Sequence, residues 1–146
     1  MKSIFCLSVA FIFLYFNGFS QLNGDEVLGK WKTIKGDLIV DVYKVKLEYK
    51  AKVVWFNVKT KPMDFWKDDK NPDPKLRNRK LLGMDIVNNL HFNNKSKEWE
   101  GGKIYDPTTG KTWDSIAWIT KDQYLKVKGY WLFQFLSKTL VLKKIG

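Results

Sequence analysis

An alternation of apolar and polar side chains with a period of two residues starts at Val27 and recurs to the C-terminus; nothing else in the sequence constrains this chain more. Successive side chains of a strand point to opposite faces, so such a period specifies β-structure with one buried and one wet face. Tyr49, Ala51, Val53 and Trp55 fall on one face, and Glu48, Lys50 and Lys52 on the other. Leu125, Val127 and Trp131 oppose Lys126 and Lys128 in the same way. Further candidates lie at 28–33, 38–43, 85–92, 99–105, 112–119 and 139–145, about eight strands in all. Most breaks between them are short: Lys35-Gly36-Asp37, Asn93-Asn94-Lys95-Ser96, Asp106-Pro107-Thr108-Thr109-Gly110 and Thr120-Lys121-Asp122. Strands joined by such turns are antiparallel neighbours, because a parallel crossover needs about a dozen residues or more. The expected fold class is all-β, an antiparallel up-and-down barrel of about eight strands or a strongly curled sheet.

One connection departs from this rhythm. Residues 57–83 hold three of the four prolines and the run DDKNPDPKLRNRK from Asp68. A connection this long in a compact domain is functional or folds locally. Asp73 suits a helix N-cap, Pro74 the first helical position and Gly83 the residue past the end. A short helix over 74–82 in a lid loop is therefore expected, leaning Leu76 and Leu81 or Leu82 onto the barrel. Asp68 to Asn71 reads as a turn held by side-chain bonds to backbone amides.

The first twenty residues follow a different rule. Lys2, an apolar run of about 13 residues and the small residues Gly18 and Ser20 have the layout of a secretory signal peptide. The run is too short for the roughly 20 residues a bilayer span needs. The expected organisation is a leader at 1–20, a linker at 21–26 and one barrel domain at 27–146, with no transmembrane segment after cleavage. Cleavage removes the only cysteine, which excludes disulfides, a thiol nucleophile and thiolate metal ligands. It also leaves 25 of the 26 Lys and Arg against 15 Asp and Glu, because only Lys2 is lost. A basic exported protein suits anionic surfaces or ligands, whereas nucleic acid is a poor partner outside the cytoplasm.

Catalytic and metal motifs fail on inspection. Asp69-x-Asn71-x-Asp73 imitates a calcium loop, but Pro74 stands at its sixth position and Lys80 at its twelfth. Gly110-Lys111-Thr112 lacks the preceding glycine of a phosphate loop, with Tyr105 in its place. His91 is the sole histidine, so a multi-histidine zinc site cannot form, and nothing places it beside Ser96, Ser115 or Ser137. Asp85, Glu100 and Asp106 lie near strand ends, where a pair could converge for acid–base work. No cofactor or metal site is expected, and a non-catalytic role is favoured over a carboxylate-dependent hydrolase.

The blocks DDKNPDPKLRNRKLLGMDI from Asp68, GGKIYDPTTGKT from Gly101 and LKVKGY from Leu125, with GKW from Gly29, resemble a bacterial family of unknown function, domain of unknown function 2147. The resemblance covers the whole domain from Val27 to Ile145. It implies a small exported bacterial protein with a lipocalin-like barrel, and it implies no activity. Gly29-x-Trp31 is also similar to the first-strand signature of lipocalins, where an Arg from the last strand covers the Trp. Lys143 or Lys144 stands there instead, and lysine lacks the planar guanidinium for stacking.

The charged lid is expected to form a polar network at the rim, joining Asp69, Asn71, Asp73, Arg77 and Arg79 to Lys103, Tyr105 and Asp106, with Trp31 and Tyr130 as aromatic walls. Two roles suit this network. Its Arg residues pair with its Asp residues and pin the lid, or they contact a ligand. The leading functional expectation is a binding protein for a small amphipathic or anionic ligand at the barrel mouth. The alternative is an envelope-maintenance module that docks a protein or an anionic surface.

Overall fold

The computed structural model describes residues 23–130 and 137–146; the expected leader at 1–20 and Trp131 lie outside these. Eight strands follow in chain order: β1 (Gly29–Thr33), β2 (Leu38–Val45), β3 (Glu48–Phe56), β4 (Asp85–Asn93), β5 (Glu98–Asp106), β6 (Lys111–Ile119), β7 (Tyr124–Tyr130) and β8 (Ser137–Lys144). Each pairs antiparallel with its chain neighbour, and β8 returns to β1, so the sheet closes into an up-and-down barrel. Closure removes the unpaired edges that would otherwise template aggregation. Every strand expected from the alternation is present.

The interior is filled by the apolar face of that alternation. Trp31, Val40, Val42, Tyr49, Ala51, Val53, Val87, Leu90, Trp99, Ala117, Leu125, Val127 and Leu142 are all buried, while the lysines between them stay on the wet face. Trp55 departs from its expected side. A bulge lets Val40 pair with Val53 but Ile39 with Trp55, and the extra residue turns the Trp55 ring to the outer face, under Lys32 Nζ at 5.6 Å.

The segment before β1 closes one end of the barrel. A 3-10 turn, Asp25–Val27, lies across it. Trp31 Nε1 donates to Val27 O at 2.8 Å and Trp99 Nε1 to Gly24 O at 3.1 Å, so both buried indoles fasten the turn with their only donor. The Tyr49 hydroxyl and Lys44 Nζ donate to Asp25 Oδ1 at 2.6 and 2.7 Å. Lys144 Nζ reaches Glu26 O at 3.0 Å while lying 5.5 Å from the centre of the Trp31 ring. A lysine thus covers the Trp as a point charge where a stacked guanidinium would not be available.

The helix expected at 74–82 is one 3-10 turn, Pro74–Leu76. Its start follows the expectation, with Asp73 accepting from the Lys75 amide and Pro74 at the first position. It stops early because the following backbone groups are engaged elsewhere. The Asp68 amide donates to Arg79 O at 3.0 Å, the Leu81 amide to Trp66 O at 2.9 Å, and Lys67 pairs with Lys80 as an isolated bridge. A single β-bridge across the lid stands where the remaining helical turns were expected.

Candidate functional site

Two features remain once the barrel is built: its interior, and the lid between β3 and β4. The interior holds a cavity of about 40 Å³ whose walls are wholly apolar, formed among others by Val27, Val40, Tyr49, Ile86, Leu90, Ile104, Ala117 and Leu142. Small-molecule pockets run to roughly 300–1,000 Å³, so the present cavity accommodates no more than the tip of an apolar chain. Beside it lies Ser115, 1% exposed, whose hydroxyl has no hydrogen-bond partner among the described residues. Its cross-strand partners are Gly102 and Gly129, and a Cβ on Gly102 would stand 2.6 Å from Ser115 Oγ and 2.4 Å from Leu90 Cδ2. The glycine is what allows serine and leucine to pack there.

The lid is held by one buried carboxylate. Asp68 is fully buried. Its Oδ2 accepts from Arg79 Nε at 2.8 Å and Asn71 Nδ2 at 2.7 Å, and pairs with Arg79 Nη2 at 2.8 Å. Its Oδ1 accepts from the Tyr105 hydroxyl at 2.5 Å, and the Arg79 guanidinium also lies 5.7 Å from the Tyr105 ring centre. Burial, and then the bond to Asp68, push the Tyr105 hydroxyl up to about 12. A buried charge is tolerable only with such a full set of donors. The same loop touches the β5–β6 hairpin through Gly110. At φ +71° this glycine leaves room for the lid backbone, and a Cβ there would lie 2.0 Å from Lys70 O.

The expected network is therefore partly assembled. Asn71, Arg79 and Tyr105 meet on Asp68. Asn71 is buried, and its Oδ1 accepts from the Asp73 amide at 2.8 Å; Arg77 Nε donates to Asn71 O at 2.7 Å. Asp69 is exposed on the lid. Lys103 lies on the outer face of β5 and pairs with Asp114 on β6. Asp106 stays within its own hairpin: burial raises its carboxyl, but bonds from Thr108 and Thr109 outweigh this, and it is held below the usual carboxylate range. Trp31 belongs to the closed end. Tyr130 ends β7, half-buried, opposite Asp114 and Ser137. The residue on which the arrangement turns is Asp68, which the sequence places only in a turn. Its only sequence signal is the three-residue spacing to Asn71, which a surface Asx turn shares.

Each carboxylate considered for acid–base work is engaged by donors of its own. Asp85 accepts from the Tyr43 hydroxyl at 2.7 and 2.8 Å, and burial followed by this bond pushes Tyr43 up to about 12. Glu100 is held down by bonds from Asn93 and Ser96, Ser96 Oγ donating at 2.6 Å. His91 is exposed, its Nδ1 3.0 Å from Asn89 O. Among the described residues no cluster of three or more His, Cys, Asp or Glu could hold a metal ion.

Residues 29–144 match the model of a family described as an uncharacterized protein conserved in bacteria (DUF2147). The chain belongs to this family. In this DUF2147 protein, two of the blocks that carry the resemblance meet in space, Asp68 against Tyr105 and Lys70 against Gly110. A solved protein from the human pathogen Helicobacter pylori, described as belonging to the lipocalin family, is similar at 25% identity over 82% of each chain, with a TM-score of 0.68. No curated protein matches the chain. The fold of this DUF2147 chain is lipocalin-like, a closed antiparallel barrel of eight strands. Among the described residues no helix is long and apolar enough to cross a membrane.

Proposed function

We propose that this DUF2147 protein is an exported bacterial envelope protein that binds a small amphipathic or anionic molecule at the lid end of its barrel, without catalysing a reaction on it. The supporting observation is an apolar interior with the Asp25–Val27 turn at one end and, at the opposite strand ends, a cation-rich lid fastened to β3 and β5. An apolar pocket with a few polar groups at its mouth is the usual form of a ligand site. The small cavity sets the mode of binding: an apolar tip enters the barrel, and the acidic head stays at the rim among lid cations such as Arg77. Export rests on the leader pattern of the first twenty residues. Likeness to a lipocalin-family protein supports the ligand-binding reading, and the engagement of Asp85, Glu100 and Asp106 by separate hydroxyl and amide donors supports a non-catalytic one.

A second reading, an envelope module that docks a protein or an anionic surface, draws on the same small cavity and on the fact that Asp68, Asn71 and Arg79 satisfy one another. Native mass spectrometry of the protein, purified as its own host processes it, separates the two. A mass excess that disappears on denaturation is expected. A bare mass under gentle conditions would exclude a resident ligand and leave the docking module.

A further inference from the structure

The lid displays apolar surface that the barrel does not use. Phe65 is 69% exposed and Trp66 38% exposed, both at the 3-10 turn Met63–Phe65 and its C-cap. Their orientation is built in. Met63 on the same turn is half-buried, its sulfur 3.5 Å from the Phe56 amide, while Trp66 O accepts from the Leu81 amide and Asp68, two residues on, is the buried anchor. The aromatic pair is thus fixed outward by the latch beneath it.

Its surroundings are cationic. Trp66 Nε1 donates to Lys61 O at 3.3 Å, Lys67 follows directly, Lys80 is bridged to Lys67, and all three lysines are exposed. Residues 57–84 carry eight Lys or Arg against four Asp. Two of those cations are paired with lid acids, Arg79 with buried Asp68 and Lys80 with exposed Asp64.

From this juxtaposition we propose that the Phe65–Trp66 turn is a docking point for an anionic phospholipid surface, with the two rings entering the headgroup layer and Lys61, Lys67 and Lys80 meeting the phosphates. Tryptophan carries an apolar body with a polar edge and suits that depth. Lysines close to an anionic surface gain from its potential, and the gain is screened by salt. The complement is charge as much as apolarity, which selects anionic lipid over a neutral bilayer. This proposal stands apart from what the barrel holds.

The test is sedimentation of the host-processed protein with vesicles of phosphatidylethanolamine containing phosphatidylglycerol, against vesicles of phosphatidylcholine alone. The expected result is binding to the anionic vesicles, reduced roughly tenfold in the Phe65→Ser/Trp66→Ser variant and by a similar factor in Lys61→Gln/Lys67→Gln/Lys80→Gln. These side chains are exposed, and unchanged circular dichroism and thermal midpoint check the fold. Quenching of wild-type fluorescence by bromine-labelled lipid, halved or more in Trp66→Phe, places the ring in the layer. Equal binding by the aromatic variant and wild type would overturn the proposal, because adsorption would then be a property of overall charge. So would equal binding to phosphatidylcholine, or no binding to the anionic vesicles at low salt.

Discussion

Replacing Tyr105 by Phe removes one oxygen and leaves the barrel wall unchanged, so it isolates the latch. Among the described residues the Tyr105 hydroxyl is the one side-chain donor to Asp68 Oδ1. In the variant, one oxygen of a fully buried carboxylate keeps its charge and loses its donor. A buried group left unsatisfied costs about 1–3 kcal/mol, toward the upper end when charged. Arg79 and Asn71 still hold Oδ2, which sets the expected loss at about 2 kcal/mol. Asp68→Asn keeps the shape but removes the charge facing Arg79; because that guanidinium is 38% exposed and can be solvated, the low end of the range for a broken buried pair applies, about 3 kcal/mol. Lys80→Gln is the control, since its partner Asp64 and Lys80 itself are 64% and 60% exposed and such pairs contribute less than about 1 kcal/mol. Native-state hydrogen exchange reads the effect where it arises. The Asp68 and Leu81 amides, bonded across the lid, should exchange roughly thirtyfold faster in Tyr105→Phe. Barrel amides such as those of Val42 and Val127 should be unmoved. Unchanged exchange at Asp68 and Leu81 would refute the reasoning, because Oδ1 would then have another source of solvation.

Gly110 and Gly83 both adopt positive φ, but a Cβ on Gly110 would strike Lys70 O whereas one on Gly83 meets nothing within 4 Å; Gly83→Ala should cost about 1 kcal/mol of backbone strain, and Gly110→Ala should cost more and also expose the lid to limited proteolysis. Ser115→Ala removes a buried hydroxyl that lacks a partner among the described residues and should raise the urea midpoint, by up to about 1 kcal/mol of stability. Tyr43 and Tyr105 have folded values near 12 against 10.0 unfolded, so each holds its proton more tightly when folded; their contribution is complete below pH about 10 and lost as pH rises toward about 12. Alkaline unfolding followed by circular dichroism should therefore shift toward neutral in Tyr105→Phe and Tyr43→Phe, with a flatter slope across that window.

The sequence by itself determined the barrel. Strand periodicity is a local property, repeated eight times with short turns at most junctions other than the lid, and short turns leave antiparallel neighbours as the only solution. In β3 the alternation also told inside from outside, except at Trp55, where a bulge that depends on the partner strand reversed the face. The start of the 3-10 turn was legible for the same reason, since Asp73 and Pro74 act on adjacent backbone. Its end was not, because the Arg79 carbonyl accepts from the Asp68 amide and the Leu81 amide donates to Trp66 O, both across the lid. Tertiary structure alone chose Asp68 rather than Asp69 as the buried acid. The two differ only in which one faces Tyr105, 37 residues further along the chain. It alone also decided that the interior is nearly filled and that Phe65 and Trp66 face out. Packing volume and side-chain direction arise from contacts among distant residues, and a one-dimensional pattern carries neither.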